Sequence, residues 1–108
     1  MKDDLNKFLP LSPAALHILL ALAGEDMHGY GIMQEVARQS EGANKLGPGT
    51  LYDNLQRLMD QGMVTETSSD DPRRRIYRLS SLGRKVLSAD ISRLESVVRE
   101  ARLHLRRV

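Results

Sequence analysis

Apolar residues recur at helical spacing along most of the chain, and the period changes to alternation once. Ser12-Pro13 reads as a helix opening, with Ser12 as N-cap and Pro13 in the first turn. Ala15, Ile18, Leu19 and Leu22 follow on one face, and Gly24 fits a left-handed stop. The run from Ala14 to Ala23 is apolar on most sides, which predicts a helix central to the core. Ahead of it, Leu5, Phe8 and Leu9 are spaced as a short amphipathic arm within residues 1–10. A second helix is predicted from His28-Gly29-Tyr30, with Ile32, Met33, Val36 and Ala37 inward and Gly42 just past its end. His28 opens it, where a ring nitrogen is placed to cap the helix or to pack against it.

Ala43 to Leu46 leads into a third helix, with Pro48 at the first helical position and an end near Gly62. Leu51, Leu55 and Leu58 recur at i, i+4, i+7 and point inward. Thr50, Asp53, Asn54 and Arg57 are read as the outward face, with Tyr52 at its shoulder. All are short or hydrogen-bonding, the inventory a helix needs to enter a DNA major groove. An ordinary amphipathic surface helix has the same pattern, so the reading depends on the neighbouring elements. Two helices joined by a short glycine-containing segment have the layout of a helix-turn-helix.

The period then switches. Met63 to Thr67 alternates and is rich in β-branched residues, a strand signature. Ser68 to Arg74 is a turn-forming cluster, and Arg75 to Leu79 reads as a second strand. A hairpin directly after the third helix is the wing of a winged helix-turn-helix. Its tip places Arg73, Arg74 and Arg75 on or beside a tight turn. Arginine suits phosphate and narrow minor grooves. The other reading is a solubilising turn in which Asp70 and Asp71 neutralise the arginines.

Ser80 is placed to cap a last helix running from about Ser81 to Arg107, roughly 40 Å at about 1.5 Å per residue. Leu87, Ile91, Leu94, Val98, Ala101, Leu105 and Val108 are spaced alternately by 4 and 3, an a/d stripe. Such a helix overhangs a core built from the preceding residues, so its distal half requires a partner. A second copy of the chain is the expected one, since two-fold dimers are the commonest oligomers. The dimer interface is therefore placed on Leu87, Ile91, Leu94, Val98, Ala101 and Leu105. The expected fold is mainly α with a small β-hairpin: a winged helix-turn-helix over 1–79 and a dimerisation helix over 80–108.

Composition sharpens the choice of partner. The chain has 108 residues and a net charge of +2, unevenly distributed. Residues 1–62 hold five Lys and Arg against eight Asp and Glu; residues 63–108 hold eleven against six. A basic second half on a small domain points to a polyanion, and double-stranded DNA is the expected partner. With no cysteine there is neither a disulfide framework nor a thiolate zinc site. The N-terminal residues carry acids where a signal peptide has a basic region, and the longest apolar run is too short for a bilayer. A cytoplasmic protein with no membrane partner is expected. His17, His28 and His104 share neither metal-ligand spacing nor a grouped carboxylate, and no nucleophile elbow or phosphate-cradling loop is visible. No cofactor, metal or enzymatic activity is expected.

These motifs coincide in one family. Leu11 to Leu22, His28 to Met33, Leu46 to Tyr52, Leu55 to Leu58, Arg74 to Leu79 and Gly83-Arg84 resemble the PadR family of bacterial transcriptional regulators, in its short form with a single C-terminal helix. The resemblance implies a homodimeric repressor whose third helix enters the major groove and whose wing touches the flanking backbone. It implies that Thr50 and Tyr52 are phosphate or groove contacts, Asn54 and Arg57 base-edge contacts, and Arg73 and Arg74 wing contacts. It also implies release by a small-molecule effector near the dimer interface. Relatives that stack flat ligands do so on tryptophan, whereas the aromatics here are Phe8, Tyr30, Tyr52 and Tyr77. Asp53 must accept from a cytosine amino group or pair with Arg57 at i+4 to lie near DNA. Two other readings share these features: a winged-helix protein–protein module, and a sensor whose main event is ligand capture between C-terminal helices.

Overall fold

In the computed structural model, which describes residues 4–67 and 69–106, helix capping sets the element boundaries. Ser68, expected in the wing turn, Arg107, expected to end the last helix, Val108 of the expected stripe, and Met1 to Asp3 lie outside the described residues. The Ser12 hydroxyl accepts from the Ala15 N–H at 3.1 Å, and Pro13 occupies the first turn of α1 (Pro13–Gly24). Ile18 and Leu19 are wholly buried, and α1 packs against the three later helices and the sheet. Gly24 is not the left-handed stop expected of it. It is the last helical residue, and Glu25 leaves it in extended conformation at φ −167°. No reversal is needed there, because the chain runs straight on into a strand.

That strand, β1 (Met27–His28), adds to the expected hairpin. It pairs antiparallel with β3 (Ile76–Leu79), Met27 opposite Tyr77 and His28 opposite Ile76. On its other side β3 pairs with β2 (Val64–Glu66), so the sheet has three strands in the order β1-β3-β2. Two residues are too few to carry an alternating pattern, which is why β1 is invisible in sequence. His28 ends β1 and caps α2 (Gly29–Gln39), its Nδ1 accepting from the Gly31 N–H at 3.1 Å. His17 on α1 is half-buried and hydrogen-bonds Gln39 at 3.2 Å, and Gln39 in turn donates to Glu35 at 3.1 Å. This histidine is a structural link between α1 and α2. The Glu35 carboxyl is held below its usual range chiefly by its hydrogen bonds from Arg38.

Left-handed glycines end α2 and α3 (Pro48–Asp60). Gly42 sits at φ 84°, its N–H donating to the Ala37 carbonyl at 2.8 Å. Gly62 sits at φ 82°, which lets the Met63 N–H reach back to the Leu58 carbonyl at 2.9 Å. The Ser80 hydroxyl then accepts from the Gly83 N–H at 3.0 Å and opens α4 (Ser81–Leu105). The same hydroxyl donates to the Gly62 carbonyl at 2.6 Å, while the Ser80 N–H donates to the Met63 carbonyl at 3.0 Å. The first turn of α4 is thereby fastened to the start of β2.

Only the first half of α4 is buried, at Gly83, Val86, Leu87 and Asp90. Asp90 is wholly inaccessible; its Oδ1 accepts from Arg93 Nε at 2.7 Å, and Oδ2 has no partner among the described residues. Beyond Leu94 the helix leaves the core. Val97, Val98, Leu103 and Leu105 are 53%, 47%, 52% and 69% exposed. The molecule is accordingly elongated, 57 Å in its longest dimension. The fold is a winged helix-turn-helix, mainly helical with a small antiparallel sheet and a long C-terminal helix. Among the described residues no helix is long and apolar enough to cross a membrane.

Candidate nucleic-acid interface

Helix α3 starts at Gly47-Pro48 with no acidic residue in its first turn, so its N-terminal N–H groups face no carboxylate of that turn. Leu51, Leu55 and Leu58 are buried to within 3% of complete. At about 100° per residue, the positions opposite are Gly49, Asp53 and Asp60, with Gln56 and Arg57 about 50° to either side of them, all exposed. Thr50 and Arg57 are exposed beside that stripe.

The residues named from sequence do not all share this face. Asn54 is half-buried on one flank, and its amide donates to the Thr50 carbonyl at 2.8 Å. It lines a shallow cleft with Arg57 and with Phe8 and Pro10 of the N-terminal arm. Tyr52 occupies the other flank, 42% exposed, with its ring beside Gly29 of α2. A Cβ at position 29 would overlap the Tyr52 hydroxyl, so the two helices approach here because Gly29 has no side chain. Gln56, absent from the sequence-derived set, stands on the outward stripe; its amide donates to Asp60 Oδ1 at 3.0 Å. Tyr30, also absent from that set, follows Gly29 and is 63% exposed at the start of α2. A strict reading of angle would have found Gln56; no local signal marks Tyr30.

The wing tip is a single 3-10 turn, Pro72–Arg74. Asp71 Oδ1 accepts from the Arg73 N–H at 3.0 Å and from Arg73 Nε at 3.2 Å, and Asp71 Oδ2 lies 3.8 Å from Arg74 Nε. The two guanidiniums therefore share one carboxylate, yet their side chains remain 90% and 83% exposed. Exposed pairs of this kind hold weakly and exchange partners readily. Arg75 is not at the tip. It is half-buried in the cleft between wing and α3, with Tyr52, Gln56, Glu66 and Tyr77 around it. Burial raises the Tyr77 hydroxyl above the usual tyrosine range; Glu66 and Tyr52 push the same way, and Arg75 opposes them. Behind the wing, Arg78 bonds Asp26 at 2.9 Å and anchors β3 to the loop after α1. No group of histidines and carboxylates fit to hold a metal occurs among the described residues.

On α4 the stripe residues divide. Leu87 belongs to the core of its own chain. Ile91 and Leu94 are half-buried, and Val98, Ala101 and Leu105 are exposed. Val97 and Leu103 widen the exposed apolar surface beyond the stripe.

Comparison with known proteins agrees with this architecture. A transcriptional regulator of Mycobacterium tuberculosis, Rv3488, is 40% identical over 87 residues, covering 79% of this chain and 78% of its own. A PadR family transcription regulator from Clostridium difficile superposes with a TM-score of 0.72 at 22% identity, over 87% of this chain and 99% of that one. A transcriptional regulator from Clostridium thermocellum gives 0.72 at 20% identity, over 94% and 95%. At such identities the two structures speak for the fold alone. Residues 18–89 match the transcriptional regulator PadR-like family, and the chain belongs to that family.

Proposed function

We propose that this protein is a sequence-specific DNA-binding repressor acting as a two-fold homodimer on an inverted repeat. The observation that carries the reading is the pairing, on one molecule, of an outward α3 face of small and hydrogen-bonding side chains with two exposed arginines at the wing tip. The helix supplies base-edge contacts and the arginines supply phosphate contacts, the division of labour that sequence reading requires. The apolar surface of distal α4 supports the dimer: Val97, Val98, Leu103 and Leu105 gain burial only against another chain. Paired in this way, two copies of α3 read half-sites about one helical turn apart, roughly 10 base pairs or a small multiple. Repression results where such a site overlaps a promoter. Release by a small-molecule effector, as the family resemblance implies, requires only a change in the separation of the two reading helices.

The test is a selection from a random duplex pool at near-physiological salt, followed by affinity measurement across salt concentrations. An enriched inverted repeat with affinity that falls steeply with salt is the expected result. Absence of enrichment with a flat salt response overturns it in favour of a protein-interaction module.

A further inference from the structure

We infer that Gln56 is the amide that reads bases, specifying an adenine in each half-site, and that Asn54 positions α3 instead of reading. The inference rests on the DNA-binding reading and assigns its specificity. Helix α3 carries two amide side chains, and the structure separates them by angle, burial and bonding. Asn54 is turned to the flank occupied by the N-terminal arm, is half-buried, and uses its amide N–H on the Thr50 carbonyl at 2.8 Å. One of its two amide hydrogens is thus held on its own helix, which fixes the orientation of the group. Gln56 lies seven residues after Gly49 and one after Leu55, on the edge of the outward stripe nearer the wing, and is exposed where Asn54 is half-buried. Its one hydrogen bond, to Asp60 at 3.0 Å, joins two exposed side chains. Such a bond is readily exchanged for another partner on approach to a surface.

The stripe's charge fixes where it lies in the groove. Asp53 and Asp60 flank Gln56 at i−3 and i+4, and Arg57, at i+4 from Asp53 and i−3 from Asp60, lies beside them on the edge away from the wing. The two carboxylates keep the Gln56 edge off the phosphates and over base edges, while the Arg57 edge is left to the backbone. Arg57 and Thr50, one step round the helix, face a strand. At a base edge a carboxylate accepts from the cytosine amino group. A glutamine pairs in bidentate fashion with adenine, accepting from N6–H and donating to N7. Glutamine is the one residue of the stripe that both donates and accepts.

The experiment repeats the random-duplex selection with the full chain, Gln56→Ala, Gln56→Glu and Asn54→Ala. The wild type is expected to enrich an inverted repeat with an adenine in each half-site. Gln56→Ala should keep the repeat but lose preference at that one position, by roughly 5- to 150-fold in the ratio of adenine to other bases. Gln56→Glu keeps an acceptor and loses the donor, so it should move the preference there towards cytosine. A residue with only a structural role would not exchange one base for another. Asn54→Ala should change affinity for all sequences and the preferred base at none. An unchanged consensus in both Gln56 variants, or a single relaxed position in Asn54→Ala, overturns the assignment while leaving DNA reading intact. No repeat enriched by the wild type overturns both.

Discussion

Gly83→Ala is the substitution for which local propensity and tertiary geometry predict opposite signs. Alanine is favoured over glycine in a helix interior by about 1 kcal/mol, and Gly83 is the third residue of α4. Propensity alone therefore predicts stabilisation. A Cβ at this position, however, would overlap the Met63 carbonyl oxygen and come within 2.7 Å of Leu79 Cδ1. The first obstacle is backbone, held in place because it accepts from the Ser80 N–H at 3.0 Å, so it cannot rotate aside. Overpacking of this kind costs about 1–3 kcal/mol. Shifting the α4 turn to relieve it stretches the Ser80–Met63 and Ser80–Gly62 hydrogen bonds, worth about 0.5–1.5 kcal/mol each. With the middle of each range, subtracting the propensity gain leaves a net loss of about 3 kcal/mol. With a urea m-value of about 2 kcal/mol/M, the midpoint should fall by about 1.5 M. The chain has no tryptophan, so unfolding is followed by far-ultraviolet circular dichroism, at fixed chain concentration because dimerisation would contribute. Gly24→Ala is the control: nothing lies within 4 Å of its added Cβ, and its midpoint should hold or rise. A Gly83→Ala midpoint equal to or above wild type would refute the close-approach argument.

Three further outcomes are expected from the structure. Asp71→Asn keeps an oxygen to accept from the Arg73 N–H but removes the charge shared by Arg73 and Arg74; DNA binding should tighten, and the slope of log affinity against log salt should steepen by about 0.9 for each additional phosphate neutralised. An unchanged slope would mean that the wing arginines do not touch phosphate. Val98→Asp places a charge on a position already 47% exposed in the single chain, so light scattering should report a monomer while circular dichroism stays that of the wild type; a persistent dimer would remove this seam. For Tyr77, whose folded hydroxyl is raised above the ordinary value of 10.0 mainly by burial, the neutral form is the one the fold favours. Its contribution is full below that value and is lost as pH rises through the folded value, so urea midpoints should fall on the alkaline side and less so in Tyr77→Phe. Identical alkaline curves for the two proteins would contradict the burial argument.

Signals that act through a neighbouring residue were legible in the sequence. Ser12 and Ser80 cap helices because a hydroxyl three residues ahead of an N–H is a local fact. Gly42 and Gly62 stop helices because a left-handed turn is local too. Gly24 deceived for the complementary reason: whether a helix ends by reversing or by running on depends on where the chain goes next, and β1 is too short to announce itself. The outward face of α3 was legible in kind and misplaced in detail. Polarity served as the marker of exposure, yet seven of the ten positions of this helix apart from its leucines are polar, so polarity discriminates poorly among them. Angle does, and it exchanges Asn54 for Gln56.

That angle is fixed by a contact between two motifs that sequence shows only as separate pieces. Three buried leucines hold one side of α3, but a stripe of leucines alone tolerates some rotation about the helix axis. Tyr52 removes that freedom. Its ring is seated beside Gly29, in space that any larger residue at position 29 would fill, and its hydroxyl end sits over the first turn of α2. A helix gripped on its buried face and on one flank has one rotational setting. In that setting Asp53 and Gln56 face outward, Asn54 is turned to the arm, and Tyr52 serves as the gauge between α2 and α3. The glycine before the exposed Tyr30 and the tyrosine after Leu51 thus form one device. It decides which side chains of α3 face outward.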